Sequence, residues 1–147
     1  MRVCTLFPST LGLLVLASNA AAMPQIDLER RAQVFVEAFN RQDVVALCDA
    51  VSEDFRWLEA TGEMIELQVS GREALRDWCL QRKGPAAQRA TLSDAECDGR
   101  FVSAKETLYW ADGLTEQRNC VFEFNAEGLI RRAWRFPVAQ PQLDRAA

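Results

Sequence analysis

From residue 28 onward apolar side chains return every three or four positions. Leu28, Ala32, Phe35 and Phe39 fall on one stripe of a 3.6-residue period, which predicts a helix with an aromatic face. Asp27 precedes it and can accept bonds from the free first-turn amides, and Glu29 suits the positive end of the helix dipole. Asn40 fits a left-handed C-terminal position. Asp43 can cap a second, shorter helix whose Val44, Leu47, Cys48 and Val51 share a face. The period then changes. Residues 55–59, Phe-Arg-Trp-Leu-Glu, have aromatic strand character, and a turn at 60–63 containing Gly62 returns them into 64–69 as a hairpin. Alternation puts Phe55, Trp57 and Glu59 on one strand face. Ser70-Gly71-Arg72-Glu73 has the form of a capping box before a third helix, whose buried face is Ala74, Leu75, Trp78 and Cys79 and which Gly84-Pro85 ends.

The last third is punctuated by turn chemistry. Asp98-Gly99 and Asp112-Gly113 suit two-residue hairpin turns, and 125–128 is a looser third turn. The expected result is a four-stranded meander over roughly 88–97, 100–111, 114–124 and 129–136, with Pro137 stopping the last strand. With those turns Lys105 lies opposite Cys120 and Leu92 opposite Lys105, so Tyr109, Lys105 and Cys120 are expected on one face. The same arithmetic keeps Cys97 away from the level of Cys120 and disfavours a bridge between them; any disulfide should involve Cys48 or Cys79.

Composition narrows the chemistry. The 147 residues are 49% apolar and 26% charged, enough for one packed core. The formal charge of -4 without a basic cluster argues against nucleic acid as a partner. The chain has no histidine, which excludes serine–histidine and cysteine–histidine nucleophile pairs and histidine-ligated metals. No C-x-x-C spacing suggests zinc either, so no cofactor or metal is expected. Acid–base work would fall to Asp, Glu, Lys or the single tyrosine, Tyr109.

The first 22 residues read as a leader: Arg2, an apolar run at 11–17, and Ala20-Ala21-Ala22 as a cleavage site before Met23. The apolar run is short for a membrane span. The expectation is a secreted or periplasmic protein without stable membrane insertion after cleavage, with a domain at 23–137 and a flexible tail at 138–147. In such a compartment Cys48, Cys79, Cys97 and Cys120 could form bridges, and sequence does not choose among the pairings.

The motifs AFNRQDVVAL at 38–47, SEDFRW at 52–57, SGREALRDW at 70–78 and FNAEGLIRRAW at 124–134, in that order, resemble the nuclear-transport-factor-two-like superfamily, which includes SnoaL-like cyclases and ketosteroid isomerases. The resemblance implies an α+β fold, a cone of about six mixed or antiparallel strands curved around the N-terminal helices in the cystatin-like order α-α-β-β-α-β-β-β-β. It also implies a pocket at the wide end and a homodimer through the outer sheet face. Carried over by position, the isomerases' general base falls on Glu59, their helix-1 tyrosine on Phe35, and their protonated aspartic acid on Cys120. Phe35 has no proton to give and a thiol is a weak donor, so the base is kept without its oxyanion hole and steroid isomerisation is disfavoured. Epoxide hydrolases of this fold use an Asp-Arg-Asp relay, which the sequence alone does not place.

The expected function is binding of a small apolar molecule in the cone, with walls from Phe35, Phe39, Phe55, Trp57, Trp78, Cys120 and Phe122. The alternative is a metal-free isomerase, cyclase or hydrolase with Glu59 as general base and Tyr109 or Lys105 supplying charge. A third possibility is a dimeric interaction domain whose cone is filled by its own side chains. Arg131, Arg132 and Arg135 could attract an anion, although solvent-facing arginines on one strand are the commoner use.

Overall fold

The computed structural model describes residues 26–81 and 89–138. The leader-like segment 1–22, the Gly84-Pro85 helix stop and the tail from 139 lie outside them. The order is α1 (Leu28–Asn40), α2 (Val44–Asp49), β1 (Val51–Thr61), β2 (Met64–Ser70), α3 (Arg72–Gln81), β3 (Arg89–Asp98), β4 (Phe101–Tyr109), β5 (Thr115–Phe124) and β6 (Ile130–Pro137). It matches the expected α+β sequence of elements. Both predicted helix caps form: Asp27 accepts from the Arg30 amide at 2.9 Å and Asp43 from the Ala46 amide at 3.0 Å.

Two local expectations need correcting. Asn40 is not the left-handed residue; that conformation falls on Gln42, at φ 54°. The Asn40 side chain instead reaches across to β3, donating to the Ala90 carbonyl at 2.8 Å and accepting from its amide at 2.7 Å. Before α3, Ser70 belongs to β2, and Gly71, at φ 98°, takes the residue before the helix. That glycine donates to the Phe55 carbonyl, and Arg72 donates twice to that of Val51, fixing α3 against β1.

The six strands form one open sheet in the order β2-β1-β6-β5-β4-β3. β1 and β6 pair in parallel; every other neighbouring pair is antiparallel. Irregular register in β1 after Trp57, in β3 after Ser93 and in β5 after Glu123 bends the sheet, since an extra residue in one strand adds twist and curvature. The β3 irregularity contains Asp94 at φ 52°. The concave face collects alternate residues: Phe55 and Trp57; Val102, Ala104, Glu106 and Leu108; Cys120, Phe122 and Phe124; Ala133 and Arg135. Helix α1 buries Ala32, Phe35, Val36 and Phe39 in the hydrophobic core that this face lines. The sheet's two edges differ. β2 exposes Met64, Ile65 and Leu67, whereas β3 is kinked at Asp94 and carries Glu96 and Asp98 beyond the kink.

One turn changes the reading of a whole strand. Tyr109 pairs with Thr115, and Ala104, not Lys105, pairs with Cys120. The Asp112-Gly113 pair sits in a three-residue loop: the Gly113 amide donates to the Trp110 carbonyl, the Trp110 amide to that of Leu114, and Gly113 holds φ 85°. The additional residue shifts the register by one, and a one-residue shift exchanges the faces of a strand. Lys105 and Tyr109 therefore lie on the outer face, and Glu106 takes the concave position expected of Lys105.

Replacing Asn40 by Ala removes the clamp between α1 and β3 and leaves both Ala90 backbone groups short of a partner; urea unfolding should show a loss of about 2 kcal/mol.

Candidate functional site

At the wide end of the cone is a cavity of about 20 Å³, lined by Phe35, Val36, Phe39, Trp57, Glu106, Cys120, Phe122, Ala133, Trp134 and Arg135. Five of the expected wall residues are here. Phe55 and Trp78 are not among the walls: Phe55 is fully buried behind Phe35, ring centres 6.4 Å apart, and Trp78 packs on Phe39 and Trp57 at 6.4 and 5.2 Å. Phe35 also meets Phe122 edge-on at 6.0 Å. The rings thus pack in two sets, Phe55–Phe35–Phe122 and Phe39–Trp78–Trp57.

Two charged groups interrupt the cavity wall. Glu106 is only 2% exposed. Arg135 Nη2 donates to its Oε1 at 2.8 Å, and Arg135 Nε stands 2.7 Å from Oε2. The second contact is close but poorly aligned, so Oε2 has a Coulombic neighbour and no hydrogen-bonding partner among the described residues. The Arg135 guanidinium lies over the Trp57 ring, 4.3 Å from its centre. The buried indole Nε1–H of Trp57 has no acceptor among the described residues.

Glu59 belongs to the layer outside this pair. It lines a neighbouring cleft of about 210 Å³ at the cone mouth, together with Arg118, Glu116 and Arg135. Its Oε1 accepts from Arg118 Nη1 at 3.3 Å and lies 3.6 Å from Arg135 Nη1. Arg118 Nε donates in turn to Glu116 at 2.9 Å. Signs alternate along the chain Glu106–Arg135–Glu59–Arg118–Glu116, and Arg135 stands between the inner cavity and the outer cleft. Burial works against the charge on Arg118, but Glu116, Glu59 and Glu106 outweigh it and hold its pKa above the usual arginine value.

The remaining candidates are placed as follows. Lys105 is exposed on the outer face in an ion pair with Asp94 at 3.1 Å, and Tyr109 is 41% exposed near the β4–β5 turn; neither faces the cavity. Cys120 does face it. Burial first, and the Glu106 carboxylate second, push its thiol up to about 12, and its Sγ donates to the Ala104 carbonyl at 3.5 Å. Its proton is thus committed to the backbone. Among the described residues no disulfide joins Cys48, Cys79, Cys97 and Cys120 to one another. The arginine cluster divides: Arg135 points inward, whereas Arg131 pairs with Asp54 and Arg132 with Glu123 outside.

Sequence reasoning passed over Glu106 and Arg118. Their signal was alternation. Glu106 shares the phase of Val102, Ala104 and Leu108, and Arg118 that of Cys120, Phe122 and Phe124. A charge in the apolar phase of a strand has to be paired or functional.

Residues 32–133 match the SnoaL-like domain family, and the chain belongs to it. Among solved structures, an LEH-like epoxide hydrolase of M. tuberculosis is 18% identical with a TM-score of 0.62, over 74% of this chain and 80% of that one. A protein from Kribbella flavida, named there as a ketosteroid isomerase candidate, is 19% identical with a TM-score of 0.59, over 77% and 79% of the two chains. A de novo designed protein with a curved β-sheet is 16% identical with a TM-score of 0.61, over 80% and 89%. At these identities the likeness establishes the fold alone, and the designed protein shows that the fold can exist without an inherited activity. No curated protein matches.

Removing one member of the buried pair strands the other. Arg135→Met should cost about 3–5 kcal/mol at neutral pH, whereas Glu106→Leu with Arg135→Met should recover most of it, since paired apolar replacements of buried ion pairs are often near neutral. Denaturant titrations of the two single variants and the double variant measure this coupling.

Proposed function

We propose that this SnoaL-like domain binds a small, largely apolar molecule at the wide end of its cone, and that Glu106 and Arg135 anchor the polar end of that molecule. The observation that carries the reading is an ion pair built into an otherwise aromatic wall. Burying a carboxylate and a guanidinium costs several kcal/mol per ion before their attraction is counted. An all-apolar core would hold the same helix and sheet together, so the pair has a better explanation in recognition. Apolar walls with a few convergent polar groups are the usual composition of small-molecule sites.

Size supports a site that opens. The inner cavity has room for about one water. Arg135 separates it from the outer cleft of about 210 Å³, so a swing of this one side chain joins the two. The combined space approaches the lower end of ligand pockets, about 300 Å³. The base expected at Glu59 is less apt for proton abstraction, because Arg118 and Arg135 already engage its carboxylate.

The test is native mass spectrometry of the protein made by its own host, beside an Ala133→Val variant whose added methyls occupy the cavity. A small-molecule adduct on the wild type that disappears from the folded variant is the expected result. A wild type without adduct overturns the reading and leaves a domain with a self-filled cone that acts through its surfaces.

A second reading is hydrolytic. Glu106–Arg135–Glu59 repeats the carboxylate–arginine–carboxylate order of the epoxide-hydrolase relay with glutamates for aspartates, one carboxylate being suited to hold water and the other to protonate the opening oxygen. Incubation with a small aryl epoxide decides it. Diol formation abolished by Glu106→Gln supports hydrolysis, and unchanged epoxide removes it.

A further inference from the structure

Resting on the binding reading above, we infer that the ligand class is a small apolar amine, whose ammonium takes the seat now held by the Arg135 guanidinium. That seat is already built for a cation. It has the face of Trp57 on one side, 4.3 Å from the guanidinium carbon, and the Glu106 carboxylate on another, 2.7–2.8 Å from the arginine nitrogens. An aromatic face with a desolvated carboxylate is the pairing that recognises ammonium groups. Around it stand Phe35, Phe39 and Phe122, apolar surface for the body of such a ligand.

Arg135 has a second place to go. Glu59 Oε1 lies 3.6 Å from its Nη1, on the side of the outer cleft, and Arg135 lines that cleft as well. An incoming ammonium can therefore replace Arg135 at Glu106 while Arg135 closes fully onto Glu59, so neither the buried Glu106 nor the half-buried Glu59 loses its counter-ion. A neutral or anionic ligand offers no such exchange, because Arg135 could leave Glu106 only by stranding it.

Charge balance agrees. Glu106, Glu59 and Glu116 face Arg135 and Arg118, one negative charge in excess, and Glu66 pairs directly across from Glu59 on β2 and adds another. A monocation brings the group toward neutrality, whereas an anion increases the imbalance.

The test compares three probes of one shape, benzylammonium, benzyl alcohol and benzoate, by calorimetric titration with tryptophan fluorescence as a parallel readout. Benzylammonium should bind at least tenfold tighter than benzyl alcohol, with benzoate weakest. Two variants separate the parts of the argument. In Glu59→Gln the benzylammonium advantage over benzyl alcohol should fall several-fold, because the cation takes Glu106 from Arg135 and leaves Arg135 dependent on Glu59. In Trp57→Phe, which keeps an aromatic face but a weaker one, benzylammonium should lose more than benzyl alcohol. Tighter binding of the alcohol or the carboxylate overturns the amine class and leaves a ligand site in the cone. Absence of binding by all three probes removes the small-molecule reading itself.

Discussion

The parallel pairing of β1 with β6 is the contact on which the cone depends. A meander of β3 to β6 is a sheet by itself, and α1, α2 and the β1–β2 hairpin form a separate local group. The ladder from Val51–Ile130 to Glu59–Arg135 is the strand pairing that joins the two halves, and the Asn40 clamp from α1 to β3 reinforces it. The ladder also composes the site, since it sets Trp57 beside Ala133 and Glu59 beside Arg135. Trp57 and Glu59 thus reach the Arg135 side of the pocket through a pairing between strands about 75 positions apart in the chain, whereas Glu106 and Arg118 arrive through the meander. Such long-range closure is costly in chain entropy and is repaid only when the concave face finds its helix.

Much of the fold was legible because it is local. The α1 stripe, both aspartate caps, the hairpin at Gly62 and the four strands of the meander follow from periodicity and turn chemistry within windows of about ten residues. The site was half legible. Phe35, Phe39, Trp57, Cys120 and Phe122 line the cavity, because apolar residues on amphipathic elements have one side to face. Lys105 and Tyr109 were misplaced by a single residue in one loop. Asp-Gly is compatible with both a two-residue and a three-residue hairpin, and the two differ in which face of β4 looks inward. Glu106 and Arg135 gain meaning only as a pair, and their pairing depends on β4 and β6 flanking β5, which no local window contains.

The three isomerase-like positions show how a fold can keep its frame and change its chemistry. Phe35, where a tyrosine would stand, interlocks with Phe55 and Phe122. Cys120, in place of an acid, spends its proton on a backbone carbonyl. The charged groups of the cavity wall lie instead on β4 and β6, as the Glu106–Arg135 pair.

The unequal edges of the open sheet carry a consequence for how the molecule survives at high concentration. An open sheet presents two rows of unsatisfied backbone groups that another chain could extend. On β3 the kink at Asp94 breaks that row and the acidic residues beyond it repel a docking strand. On β2 the row is flanked by exposed Met64, Ile65 and Leu67, with Glu66 as the single charge among them. Any templated misassembly of the described fold would therefore grow from one end only, and the hairpin that frames the mouth of the pocket would be its starting point.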